Sequence, residues 1–425
     1  MNESDRVFAK VARRLIPLMV CLYTISFLDR VNIGFAALTM NADLGFTPEI
    51  YGWGASIFFL GYFLFEVPSN VILARVGARR WICRIMVTWG LISGAMAFVQ
   101  TPMSFYVLRF LLGLAEAGFA PGMIFYLSLW FPAAVRARYA ASYFIAVPLA
   151  TVIGGPLSSA ILNLDGVLGF QGWQWLFVIE ALPALVFAII VLFYLPDGPR
   201  DAKWLTPQER ETILARLESE RPHSHHPVGD VWKALVDIRV LLFCAIYFGI
   251  VVGLYGVTFW LPLIVNTMGF STSATGYVVA IPYAITVVAM IAWGRHSDAS
   301  QERVWHLALP TLLTAAAFGI SAVAQSPAIV LVALSVAAIG VCSTLAPFWA
   351  MPPLFLSGAG AAAGIALINA VGNLGGMLGP YAVGFAVQRT GGYAGGMAVL
   401  AVSCALAAIL VLTMGRFKCF AFARR

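Results

Sequence analysis

Charge is what this sequence has least of. Only 11% of its 425 residues are Asp, Glu, Lys or Arg, whereas soluble domains carry about 25%, so a surface facing water on every side cannot be assembled from it. The shortage is patterned: no such residue occurs from Val240 to Gly294, or from Val304 to Gln388. Catalytic signatures are missing too. There is no GxSxG, no HExxH and no glycine-rich phosphate loop, which leaves a membrane enzyme without a nucleophile, metal or cofactor site. The six cysteines, Cys21, Cys83, Cys244, Cys342, Cys404 and Cys419, avoid every predicted outer loop and show no metal spacing. They read as small apolar residues without a disulfide.

Apolar residues fill the space, at 61% of the chain. Runs of roughly 20 of them are long enough to cross a bilayer as helices. Such runs lie near 15–38, 51–74, 81–100, 103–130, 139–162 and 173–195, and again near 238–266, 274–293, 305–325, 328–349, 362–386 and 393–415. The fold class that follows is an all-α membrane protein of twelve transmembrane helices. Arg6, Lys10, Arg13 and Arg14 precede the first run as they would in a signal peptide. Asp29 and Arg30 interrupt that run, however, and further runs follow, so it reads as a span.

A formal charge of +7 raises the question of nucleic acid, and its placement answers it. Of the 26 Lys and Arg residues, only Arg30, Arg109 and Arg389 lie outside the termini and the alternate loops that begin at 75–84. That asymmetry is the positive-inside rule, which places both termini in the cytoplasm. The partner implied is a lipid bilayer, with no nucleic acid.

One long polar stretch, 196–237, divides the chain into a six-helix bundle at 1–195 and a second at 238–425, and reads as a cytoplasmic linker. Within it, Thr206-Pro207-Gln208-Glu209 combines an N-cap, a first-turn Pro and a capping-box Glu, predicting a short surface helix to about Ser219. The run His223-Ser224-His225-His226 has no Cys or carboxylate cluster beside it and reads as solvated linker rather than a metal site. The two halves look like copies. Gly155-Pro156 and Gly379-Pro380 stand 224 residues apart (380 less 156), and the same shift carries Asn70 to Gly294, Ala74 to Asp298 and Arg79 to Arg303. Repeated six-helix halves are the plan of secondary transporters, whose site lies near mid-membrane between them.

Gly294-Arg295-His296-Ser297-Asp298 with Arg303 beyond resembles the cytoplasmic-loop motif of the major facilitator superfamily. The first-half counterpart keeps Arg75, Gly77, Arg79 and Arg80 but has Ala74 where the motif carries an acid. Phe27-Leu28-Asp29-Arg30-Val31-Asn32, Pro68-Ser69-Asn70, Arg109 with Glu116, and Phe259-Trp260-Leu261-Pro262 resemble the anion:cation symporter branch, which includes bacterial 4-hydroxyphenylacetate and tartrate permeases. The resemblance covers nearly the whole chain. It implies an inner-membrane location, gating roles for Arg75, Arg79, Asp298 and Arg303, proton sites at Asp29 and Glu116, and substrate contacts at Arg30, Arg109 and Tyr62. Phe27 stands where some relatives carry Tyr, which removes a hydroxyl from the pocket.

The residues themselves lead the same way. Asp29, Arg30, Glu66, Arg109, Glu116 and Glu180 are ionisable groups inside spans, each a functional candidate because burying it in lipid is costly. Asp29 lies about fourteen residues into its span, roughly 21 Å along a helix. Arg109 and Glu116, seven apart, share a helix face, so two guanidiniums and two carboxylates are expected to meet at one depth. Arg stays protonated and matches a carboxylate; a buried Asp or Glu is a group that holds and releases a proton. Glu66 is expected to brace the loop at 75–84, and Glu180 to make an interhelical hydrogen bond. Neutral contacts from the second half are expected from Tyr255, Thr258, Asn369 and Asn373, and the glycines from Gly372 to Gly379 from close helix packing.

The expectation is a secondary transporter importing a small organic anion with protons, driven by the proton gradient without a cofactor, and acting as a monomer. A drug–proton antiporter on the same fold is the alternative, and two buried arginines weigh against its cationic substrates. A transporter-like nutrient sensor would need a longer tail or an added domain.

Overall fold

The computed structural model describes residues 3–132, 143–219, 235–356 and 358–414. The His223–His226 run, and Arg416, Lys418, Cys419, Arg424 and Arg425, lie outside them. Among the described residues the regular elements are all helices. The first half contains α1 (Glu3–Leu44), α2 (Pro48–Val76), α3 (Ala78–Ala95), α4 (Pro102–Glu116), α5 (Phe119–Ser128), α6 (Ala146–Leu162) and α7 (Gly172–Tyr194). After the surface helix α8 (Pro207–Ser219) come α9 (Ile238–Thr267), α10 (Thr272–Ser300), α11 (Val304–Val323), α12 (Pro327–Ser343), α13 (Leu345–Ala350), α14 (Gly358–Asn373), α15 (Gly375–Thr390) and α16 (Ala394–Met414). Among the described residues eleven segments are long and apolar enough to cross a membrane, and the apolar α6 is a shorter twelfth.

The local sequence explains where the helices begin. Thr47 accepts from the Ile50 amide at 3.2 Å with Pro48 behind it, Asp237 from Arg239 at 2.8 Å, and Ser271 from Ala274 at 3.2 Å. Each cap satisfies an amide that would otherwise face lipid headgroups unpaired. The Thr206–Glu209 capping box forms as expected: Glu209 N donates to Thr206 Oγ1 at 3.2 Å, and Thr206 N to Glu209 Oε2 at 2.9 Å.

Two features depart from the sequence expectation. The first helix begins well before residue 15, because its basic turns leave the apolar slab and dock on α8, where Lys10 Nζ lies 2.7 Å from Glu209 Oε2. Hydrogen bonds from Lys10, then Thr206, hold the Glu209 carboxyl below its ordinary range. The second departure is in the expected span 103–130, which is two helices. After Glu116 the backbone leaves the helix at Ala117 (φ −55°, ψ 135°), turns through Gly118 at φ +86°, and restarts as α5. The left-handed turn favours glycine, and a Cβ there would also strike Ser69. The break places Glu116 at the end of a half-helix midway along the segment Pro102–Ser128, and broken helices are a device transporters use to build a site.

Within the first half, α1 packs on α6 and α7, α2 on α4, and α3 on α7; within the second, α9 packs on α14, α15 and α16, and α11 on α12 and α16. The halves meet where α6 crosses α10, α15 crosses α2, and α9 lies against α1. These crossings obey the sequence repeat. A Cβ on Gly276 of α10 would meet Gly155 O of α6, and a Cβ on Gly52 of α2 would meet Pro380 O of α15. Gly52 and Gly276 are themselves 224 apart (276 less 52). Backbone therefore lies on backbone at both crossings, all on the face opposite the start of α1. Replacing Gly276 by Val is expected to prop this seam open at a cost of about 1–3 kcal/mol. A cysteine placed at Thr275 should then react faster with a membrane-impermeant thiol reagent than in the otherwise unaltered chain.

The outward surface is apolar, with Phe193, Val323 and Leu64 exposed, as helices facing hydrocarbon require.

Candidate functional site

One face of α1 supplies the floor of a cavity between the halves. Tyr23, Phe27 and Arg30 recur at helical spacing and line it, with Tyr62 from α2, Tyr143 and Phe144 just before α6, Tyr247 and Tyr255 from α9, Trp349 from α13, and Asn369 and Asn373 from α14. The cavity is nearly closed in this state, with a volume of about 30 Å³ open to a water-sized molecule. The wall is built from aromatic rings, aliphatic side chains and two amides, and among the described residues Arg30 is the one full charge on it.

Arg30 is 3% exposed and Glu116 1%. Arg30 Nε donates to Glu116 Oε1 at 2.8 Å, Nη2 lies 2.7 Å from the same oxygen, and Ser26 Oγ donates to it at 2.6 Å. Arg30 Nη1 then donates to Tyr255 Oη at 2.9 Å, across the boundary between halves. The guanidinium also lies 5.0 Å from the Tyr62 ring centroid and 5.4 Å from that of Phe58, a cation–π setting that holds its plane. Nearby, the Tyr143 hydroxyl is buried without a hydrogen-bond partner.

The four charged groups expected to meet lie near enough to act on one another, but only Arg30 and Glu116 pair directly. Arg109 is 1% exposed and turns to α2, donating from Nε to Gly54 O and from Nη2 to Ala55 O, each at 3.3 Å, against the Phe58 ring. It is absent from the cavity wall. Asp29 also turns away, because consecutive helical residues point about 100° apart. It accepts from Trp89 Nε1 at 2.6 Å and Ser93 Oγ at 2.8 Å on α3. Of the second-half candidates, Tyr255, Asn369 and Asn373 face the cavity, while Thr258 bonds Leu254 O and the Tyr283 hydroxyl instead. Glu66 does not brace the 75–84 loop. Its Oε1 accepts from Asn369 Nδ2 at 2.5 Å, linking the halves on the face where α1 begins. There Phe144 and Trp349 also stack across the boundary, 6.2 Å apart at 5°. Glu180 does make an interhelical bond, from Ser158 Oγ at 2.6 Å.

The loop residues fall into two ion pairs. Arg303 Nη2 lies 2.7 Å from Asp298 Oδ1. In the first half, where Ala74 leaves the acid out, Asp197 supplies it from beyond α7. Its Oδ1 accepts from Arg79 N at 2.8 Å, and its Oδ2 lies 3.6 Å from Arg79 Nε. Arg75 is exposed. Sequence reading missed Asp197 because only the fold brings it to the start of α3. Replacing Asp197 by Asn is expected to cost about 0.5–2 kcal/mol, as a lost helix cap does, read as a lower thermal midpoint in detergent. Tyr23 and Ser26 were legible, since both stand one turn from Phe27 and Arg30; Tyr143, Tyr247 and Trp349 carried no such signal.

Known proteins resemble the chain in sequence and in fold. A family model described as Major Facilitator Superfamily covers residues 19–380. The chain belongs to the major facilitator superfamily. A provisionally named tartrate transporter of Agrobacterium vitis is 50% identical over 97% of this chain and 92% of its own. A quinolone resistance transporter of Acinetobacter baumannii is 41% identical over 95% and 93%. Among solved structures, an inward-facing, occupied bacterial homolog of the human lysosomal transporter Spinster covers 97% of this chain and 98% of its own at TM-score 0.74 and 18% identity. A D-xylose–proton symporter covers 96% and 98% at TM-score 0.70 and 16% identity. This member of the superfamily is a multi-pass membrane transporter, not an enzyme.

Proposed function

We propose that this transporter imports a small carboxylate together with protons by alternating access, in a bacterial inner membrane with its termini in the cytoplasm. The observation that carries the reading is Arg30, the one charge among the described residues of a cavity wall rich in aromatic rings, and already engaged by a carboxylate from Glu116. An incoming carboxylate competes with Glu116 for the same planar fork of donors. Once displaced, Glu116 is a buried carboxylate without its cation, and it takes a proton. Substrate entry and proton entry are thereby coupled. The Tyr143 hydroxyl offers the anion a second donor. Asp29, held behind α1 by Trp89 and Ser93, is a second proton carrier, and Arg109 serves by fixing α2 to α4.

The relatives named for tartrate support a hydroxy-dicarboxylate, and the ring-lined wall suits an aromatic acid. A second reading is drug export by proton antiport, favoured by the relative named for quinolone resistance. A quinolone is itself a flat aromatic system bearing a carboxylate, so both readings use Arg30 and differ in direction. The test is internal pH in proteoliposomes on adding tartrate, 4-hydroxyphenylacetate or a quinolone outside. Acidification with a carboxylate, absent in Arg30→Ala, supports import with protons. Alkalinisation with the quinolone alone supports antiport.

A further inference from the structure

Behind α1, away from the cavity, lies a second polar cluster that the coupling just described does not use in full. Asp29 and Glu180 are 2% and 1% exposed. Asp29 takes its hydrogen bonds from Trp89 and Ser93 of α3, and Glu180 takes one from Ser158 of α6. Asn32, one turn after Asp29, stands between them. Its Nδ2 is 3.4 Å from Asp29 Oδ1, and its side chain is also within reach of Glu180. The second carboxyl oxygen of Glu180, Oε2, and Asn32 Oδ1 are both buried without hydrogen bonds.

No guanidinium or ammonium pairs with either carboxyl group among the described residues. Arg30 is spent on Glu116 and Tyr255, and Arg109 on carbonyls of α2. The charged groups that act on Asp29 from a distance are Glu116 and Arg109 on α4 and Glu180 on α7. The hydrogen-bond donors come from Trp89 and Ser93 of α3 and Ser158 of α6, and α7 supplies Glu180 itself. Two carboxylates buried this close without a cation cannot both ionise at modest cost. Glu180 Oε2 and Asn32 Oδ1, both buried and unpaired, are oxygens that a carboxyl proton held in this cluster would satisfy.

We propose that Asp29, Asn32 and Glu180 form a proton site inside the first half, in which the two carboxyl groups hold one proton between them with Asn32 as the bridge. Glu180 is thus a positioning and proton-sharing partner of Asp29, beyond its bond to Ser158. The site rests on the coupling reading above for its place in the transport cycle. Because α1 carries Asp29 on this side and Arg30 on the other, its movement joins the two.

The test needs no substrate, so an error in the substrate class leaves it intact. The protonated-carboxyl C=O band of purified protein in nanodiscs is followed by infrared difference spectroscopy as pH is raised. Glu180→Gln keeps an oxygen for Ser158 to bond and removes the like charge. Its remaining Asp29 titration is expected about one pH unit or more lower, the mark of coupled sites. Asp29→Asn should shift the Glu180 titration the same way, and it serves alone if Glu180→Gln does not fold. A midpoint unmoved by either substitution overturns the shared site. So does a midpoint that moves when sodium replaces choline, which would assign the oxygens to a metal cation.

Discussion

Replacing Arg30 by Ala is expected to lower carboxylate uptake by about 100-fold or more, and replacing it by Lys to recover little of it. Two losses combine. The substrate loses a hydrogen-bonded charge partner in a desolvated pocket, which costs about 2–5 kcal/mol, and every 1.4 kcal/mol is tenfold in binding. In addition Glu116, 1% exposed, is left without its cation, and breaking a buried pair in this way costs about 3–5 kcal/mol. Lys restores charge but not geometry. Arg30 bonds Glu116 through Nε and Tyr255 through Nη1 at once, and one ammonium cannot occupy both directions while facing a ligand. Arg109→Ala provides the contrast. Its guanidinium bonds Gly54 and Ala55 carbonyls, so its loss should reduce folded yield and thermal midpoint, while the molecules that fold bind substrate with near-normal affinity. Uptake and binding measured on both variants separate the roles. Equal loss of affinity in the two would return Arg109 to the substrate site.

The second large effect is expected from the proton carriers. In the Asp29→Asn, Glu116→Gln double variant, exchange of internal for external substrate should persist while accumulation against a gradient falls to simple equilibration. Alternating access requires only that the two halves move, whereas accumulation requires a group that carries protons with the substrate. Glu116→Gln alone removes the charged competitor for Arg30, so substrate should bind this variant more tightly than the unaltered chain, which binding titrations check. Accumulation that survives in the double variant would sink the proposed carriers.

The sequence by itself determined most of the architecture. Low charge and runs of roughly 20 apolar residues leave helices as the economical way to satisfy backbone groups in lipid. Caps such as Thr47, Asp237 and Ser271 then set their starts. The repeat was legible because each half must place a glycine where it crosses the other, and Gly52 and Gly276 do so at the offset read from Gly155-Pro156 and Gly379-Pro380. The intramembrane charges were legible as well, since each is too costly to be incidental.

Tertiary structure decided which way those charges face. Asp29 and Arg30 are neighbours in the chain, yet one bonds α3 and the other bonds Glu116 and Tyr255. Their divergence depends on how α1 is rotated among α3, α4 and α9. Periodicity fixes which residues share a face, not which neighbour the face meets. The same holds for Asp197, whose role depends on the end of α7 arriving beside the start of α3. It holds also for Glu66, which bonds Asn369 across 303 residues of sequence. Composition selects helices by their solvent, but the partners of a buried charge are set by the packing that buries it.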